Sequence, residues 1–205
     1  MEMTQALKVE PGTALVLVDV QNDFCPGGAL AVPEGNQVVP VLNCYIQAFV
    51  QAGAPVYATR DWHPSDHCSF KPQGGPWPVH CVQGTPGAQF HPGLMLPQGT
   101  VIISKATDPK QDAYSGFQGT DLAQRLKAQG IRQILVGGLA TDYCVKSTVL
   151  DGLKAGIRVY FLSDASRAVN VNPGDDKKAI REMFSAGARS LTLDQLIVSG
   201  KGKND

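Results

Sequence analysis

Five side chains suited to nucleophilic chemistry or metal binding stand directly behind apolar runs. Asp19 closes ALVLVDV, Asp61 and His63 lie in TRDWHP, Lys105 follows VIIS, and Cys144 lies in GLATDYCV. A carboxylate to move a proton, a thiol to attack and an ammonium to stabilise both anions form a coherent set. Each has a plainer reading when taken alone. A Cys on a buried helix is a small hydrophobe, a Lys near a strand end is a solvated surface group, and an Asp there can accept loop N–H groups. Shared position is what favours chemistry. Thr141 or Asp142 can cap the helix that carries Cys144, which predicts a sulfur in a first turn where free N–H groups and the helix dipole favour a thiolate. Cys25, Cys44, Cys68 and Cys81 read as structural, with Cys44 inside a helix and the others in loops.

A metal site is the second chemistry. Asp61 and His63, two apart on extended chain, project to the same side. With His80 they make one carboxylate and two imidazoles, a facial set that leaves positions open for water or substrate. All four histidines, His63, His67, His80 and His91, fall between positions 63 and 91. His67 reads as a fourth ligand or as a partner to one. His91, in a Phe90-His91-Pro92 turn, reads as structural. Phe24, Trp77 and Tyr114 become pocket walls if their loops converge, and ordinary packing residues if they do not. A structural zinc module is the competing interpretation, but it calls for Cys and His at tight repeated spacing. Cys68 and Cys81 are isolated, and Asp61 has no place in such a module.

These residues need a frame that brings strand ends together. Short β-branched runs predict strands at Ala14 to Val18, Val56 to Thr59, Val101 to Ser104, Gln133 to Val136, Arg158 to Leu162 and near Ser190 to Leu193. Helical patterns fill Gln37 to Gln51, Asp121 to Gln129, Asp142 to Lys154 and Asp175 to Ser185, with Gly53, Gly130, Gly156 and Gly187 just past their ends. Alternating strands and helices predict a parallel sheet covered on both faces, a three-layer α/β/α fold. In such a sheet ligands sit outside the carboxyl ends of the strands. With no repeat or linker, residues 1–205 read as one domain, with a core over about 13–193 and a frayed tail from Ser199. Between Lys71 and Lys105 there is no charged residue, and seven of the fourteen prolines fall within 64–97. That composition, with Trp77, Phe90, Leu94 and Met95, predicts a long ordered loop.

Composition excludes other roles. Eighteen basic against 18 acidic side chains leave no net charge, and so no cationic footprint for nucleic acid or acidic lipid. The longest purely apolar run, Ala14 to Val18, is far too short to span a membrane. Glu2 stands where a secretory leader would be basic, and five cysteines without a pairing pattern suggest reduced thiols. The expected setting is the cytoplasm. The segment from Gly35 to Thr59 carries no charge, which makes its helix a candidate homo-oligomer face.

VDVQNDF, TRDWHP, WPVHCVQGTPGAQFHP, Lys105 before AYSGF, and GLATDYCV occur in order between about Thr13 and Leu193. Together they closely resemble the nicotinamidase/pyrazinamidase group of the isochorismatase-like cysteine hydrolases. The resemblance implies a Rossmann-like six-stranded parallel sheet in the order 3-2-1-4-5-6. It implies an Asp19, Lys105 and Cys144 triad, and an oxyanion hole from the N–H groups of Ala140 and Cys144 next to a cis peptide preceding Ala140. It also implies one divalent metal, zinc with iron or manganese as alternatives, on Asp61, His63 and His80. The fourth metal position varies in that group, and this chain offers His67 or Ser69. The implied reaction is deamidation of nicotinamide or pyrazinamide, a step in NAD salvage, with Phe24, Trp77 and Tyr114 against the substrate.

Overall fold

In the computed structural model, which describes residues 6–197, six strands form one parallel sheet. They are β1 (Thr13–Val18), β2 (Val56–Asp61), β3 (Val101–Lys105), β4 (Gln133–Leu139), β5 (Arg158–Arg167) and β6 (Arg189–Leu191). Their spatial order is β3-β2-β1-β4-β5-β6, as the resemblance implied. The frayed tail expected from Ser199 lies outside the described residues. A separate parallel ladder pairs Leu7–Lys8 with Leu196–Ile197, a feature too short to be read from the sequence.

The central strand β1 is buried along its whole length, which accounts for its unbroken apolar character. Its alternate side chains feed two cores. Leu15 and Leu17 meet the apolar side of α1 (Val38–Ala52), while Ala14, Val16 and Val18 face α2 (Leu122–Ala128), α3 (Lys146–Lys154) and α4 (Asp175–Ser185). The result is the expected three layers. Helix α1 places Val38, Val39, Leu42, Tyr45, Ile46, Ala48 and Phe49 in the core. Its lack of charge therefore serves burial within the chain, and Val50 is its one strongly exposed large apolar side chain. Gly53 ends the helix at φ 66° with its N–H on the carbonyls of Phe49 and Val50. Among the described residues no helix is long and apolar enough to cross a membrane.

Two expectations need correction. The helix expected from Asp142 begins instead with a wide π turn over Thr141–Val145, and α3 starts only at Lys146. Neither Thr141 nor Asp142 caps it. The Asp142 carboxylate accepts the N–H groups of Val169 (3.0 Å) and Asn170 (2.8 Å), tying the turn that carries Cys144 to the loop after β5. The charge-free segment is ordered as expected. Val82 bridges to His63 and Trp77 to Phe70 through backbone pairing, and short 3-10 turns fill Lys71–Gln73 and Pro86–Ala88.

Close approach of β4 to β1 limits the residue opposite Val18. Gly138 has φ 130°, and a Cβ there would stand 2.1 Å from the Val18 carbonyl oxygen. Gly138→Ala should therefore destabilise the protein by at least about 3 kcal/mol through backbone displacement. For a chain of this size that lowers Tm by roughly 6–12 °C in a thermal melt.

Candidate active site

The carboxyl ends of β1 to β4 open on one edge of the sheet, and the reactive residues meet there. Asp19 follows β1 in a left-handed conformation (φ 50°) that turns its side chain under the edge. Asp61 ends β2 and Lys105 ends β3, paired to each other in register. Cys144 lies in the π turn after β4. Lys105 Nζ is 3.0 Å from Asp19 Oδ2, 3.4 Å from Cys144 Sγ and 3.1 Å from the Ala113 carbonyl, and it also pairs closely with Asp61 Oδ1. All four side chains are buried.

Burial would push the Lys105 ammonium down, but Asp19, Asp61 and Cys144 outweigh it and hold it well above its usual value. Asp61 is similar in logic and opposite in sign: burial raises it, while Lys105, His63 and His80 together hold the carboxyl below the usual range. Asp19 moves up, because burial and Asp61 outweigh Lys105 and the Thr59 hydrogen bond. The Cys144 thiol is likewise raised by burial, with Lys105 opposing and the two carboxylates adding to it. This corrects the expectation of a thiolate favoured by a helix end. Burial at this depth favours the neutral thiol over the thiolate.

One polar shell fixes these groups in place. Thr59 donates its hydroxyl proton to Asp19 Oδ1 at 2.6 Å. Gln21, fully buried, clamps the Asp61 backbone, donating to its carbonyl and accepting from its N–H, each at 2.8 Å. Asp23 accepts the Cys81 N–H at 2.7 Å and so anchors the turn that presents His80. Sequence reading passed over Gln21 and Asp23, and the signal lay in their neighbourhood, since both fall in the QNDF stretch behind Asp19.

Asp61, His63 and His80 offer three ligand atoms within 4.8 Å of one another. Nε2 of His63 and of His80 lie 3.6 and 4.0 Å from Asp61 Oδ2, against about 3.4 Å for ligands at tetrahedral angles with bonds near 2.0–2.1 Å. His63 Nδ1 is 3.3 Å from the Ala106 carbonyl and His80 Nδ1 is 2.7 Å from the Pro78 carbonyl. Donation from each Nδ1 leaves each Nε2 lone pair pointing inward. His63 Nε2 is buried without any partner, which is what a metal ligand lacking its ion looks like. The donor set fits a divalent ion. His67 is outside it: its Nδ1 meets Ser69 Oγ at 2.7 Å and its Nε2 the Gln111 carbonyl at 3.1 Å. Those contacts leave His67 stacked on His63 at 4.2 Å, and Ser69 is the one that reaches the pocket wall.

A pocket of about 460 Å³ including its mouth joins the two centres. Phe24, Trp77 and Tyr114 form part of its wall, as do Ala140 and Cys144. The Trp77 indole N–H donates to the Tyr114 hydroxyl at 2.9 Å. Tyr143, which the sequence reading did not select, completes this wall edge-on to Trp77 at 5.0 Å. Its position next to Cys144 was the available signal. The Leu139–Ala140 peptide is cis, and it leads into the turn that places Ala140 and Cys144 on the pocket wall. His91 keeps a turn role, its Nδ1 accepting the Gly93 N–H at 3.1 Å.

Residues 13–195 match the isochorismatase domain. The chain belongs to the isochorismatase family. Within that family its relatives are of the nicotinamidase and pyrazinamidase group. It is 44% identical to the nicotinamidase of Escherichia coli (strain K12), over 89% of this chain and 96% of that one. Among solved structures, the Pyrococcus horikoshii pyrazinamidase in complex with zinc is 51% identical with a TM-score of 0.86, covering 89% of this chain and all of that one. PnC1 of L. infantum in complex with nicotinate is 35% identical with a TM-score of 0.88, over 95% of this chain and 100% of that one.

Ion binding at this isochorismatase-family site can be measured directly. His80→Ala should weaken binding of a divalent ion by at least about tenfold in calorimetric titration. Burial lowers His80 from its ordinary value, so its neutral form persists into mild acid. Protons therefore compete with the ion at His80 only in more acidic buffer than they would at a free imidazole.

Proposed function

We propose that this amide hydrolase of the nicotinamidase group converts nicotinamide, and likewise pyrazinamide, to the acid and ammonia through a thioester on Cys144, as a step in NAD salvage. One observation carries the reading. The Cys144 sulfur lies 3.4 Å from an ammonium that also pairs with Asp19, on the wall of a pocket shared with Asp61, His63 and His80.

In the first half-reaction Asp19 takes the thiol proton and the Cys144 sulfur attacks the carboxamide carbon. The carbonyl oxygen becomes an oxyanion, and the N–H groups of Ala140 and Cys144 receive it, each worth about 3–4 kcal/mol in the transition state. Asp19 then returns the proton to the amide nitrogen. The C–N bond breaks and neutral ammonia leaves, which an unprotonated amide anion could not do. A thioester remains. In the second half-reaction Asp19 takes a proton from water and the resulting hydroxide adds to the thioester. The C–S bond then breaks as Asp19 returns that proton to sulfur, which restores the thiol and releases the carboxylic acid, and the acid loses its proton to water as nicotinate. Lys105 offsets the buried negative charge through both halves.

A divalent ion on Asp61, His63 and His80, zinc with iron or manganese as alternatives, would supply a site for the pyridine nitrogen, directly or through bound water. Phe24, Trp77 and Tyr114 then hold the flat ring so that its carboxamide faces Cys144, which is catalysis by positioning. Five cysteines without a disulfide support a cytoplasmic setting.

The test is ammonia release from nicotinamide, compared with a small panel of aromatic and aliphatic amides. Cys144→Ala should lose turnover to below detection while retaining its metal at wild-type stoichiometry. Substantial deamidation by that variant, or a preference for an aliphatic amide, would sink the reading.

A further inference from the structure

We propose that Thr59 is a positioning residue which assigns the two oxygens of Asp19 different duties, making Oδ2 the only proton carrier. The inference rests on the reading of Asp19 as the general base. In free solution the two oxygens of a carboxylate are equivalent. Here they are not. Oδ1 accepts the Thr59 hydroxyl at 2.6 Å. Oδ2 has the Lys105 ammonium 3.0 Å away but accepts no well-directed hydrogen bond from it, so its lone pairs stay available. Asp19 and Cys144 bring a carboxylate oxygen and the sulfur within 4.8 Å of each other.

The consequence concerns where a proton can sit. If Asp19 is protonated on Oδ2, the Thr59 hydroxyl still donates to Oδ1 and keeps its partner. A proton on Oδ1 would turn the Thr59 oxygen into an acceptor and leave its own hydrogen without a partner. Burying such a group unpaired is costly, and Thr59 is fully buried. A proton taken from sulfur is therefore kept on the oxygen that must hand it to the leaving nitrogen.

Thr59 is held to this task from three sides. Register pairs Val18 with Thr59, and the Asp19 N–H donates to the Thr59 carbonyl at 3.2 Å, so the two residues meet through main chain and side chain together. β-Branching restricts the side-chain rotamer. The Thr59 methyl fills space beside Gly116, where an added Cβ would stand only 2.8 Å from it. Thr59 is absent from the pocket wall, so it can act on turnover without touching substrate.

Kinetics of Thr59→Val, Thr59→Ser and Asp19→Asn on nicotinamide, with metal content measured for each, test the idea. Thr59→Val keeps the shape and removes the donor. Its kcat should fall on the order of 10- to 100-fold, the worth of a hydrogen bond to a charged group, with KM and metal content unchanged. Thr59→Ser restores the donor and should recover kcat to within about threefold. Wild-type kcat in Thr59→Val, or a loss in Thr59→Ser as large as in Thr59→Val, would overturn the proposal. If Thr59→Val does not fold, Thr59→Ala against Thr59→Ser makes the same comparison, and equal kcat values overturn it. Asp19→Asn separates the two levels. Wild-type turnover in that variant removes the general-base reading and this inference with it, whereas an inert Asp19→Asn beside a fully active Thr59→Val removes this inference alone.

Discussion

The Lys105 ammonium, buried between Asp19, Asp61 and Cys144, is the interaction on which the rest of the site depends. Three ionised side chains without water are tolerable only if each compensates another, and removing one member of such a cluster typically costs about 3–5 kcal/mol. After burial, the two carboxylates add to what disfavours a Cys144 thiolate, and Lys105 opposes them. Asp61 also turns an oxygen toward the two imidazoles, which favours a cation there.

Asp61 is where the two halves of the site are joined. Oδ1 faces the ammonium and Oδ2 faces the two imidazoles, so one carboxylate joins the Lys105 cluster to the candidate metal ligands. Parallel topology is what permits this. Strands β1, β2 and β3 deliver Asp19, Asp61 and Lys105 to the same edge because all their carboxyl ends point the same way. Gln21 then fixes Asp61 through its backbone, leaving both side-chain oxygens free for their separate partners.

Much of this was legible in the residues. The strands announced themselves through β-branched runs, and the reactive groups through their place behind those runs. Legibility ended where the outcome depended on what comes near in space. Position suggested a thiolate at Cys144, but burial between two carboxylates outweighs any benefit from a helix end. Asp142 has the right type and place to cap a helix, yet its oxygens are taken by Val169 and Asn170, which lie far along the chain. His67 sits among ligands in sequence and is drawn off by Ser69 and Gln111. The charge-free α1 buries one side within the chain, which hydropathy alone does not specify, since it records that a face wants burial and not what will bury it.

The strand order also bears on how the chain reaches this state. Strand β1 is the first of the sheet in sequence and the central one in space, flanked by β2 and by β4, whose first residue Gln133 pairs with Thr13 across 120 positions. In a chain made from its N-terminus β1, β2 and β3 precede β4, so the β4 side of the central strand can gain its partner only after them. An unpaired strand edge is a ready template for wrong pairing, and contacts this distant in sequence make for slow folding. Cys144 follows directly on β4. The sulfur therefore cannot stand beside Asp19 and Lys105 until the strand that closes the middle of the sheet has been made.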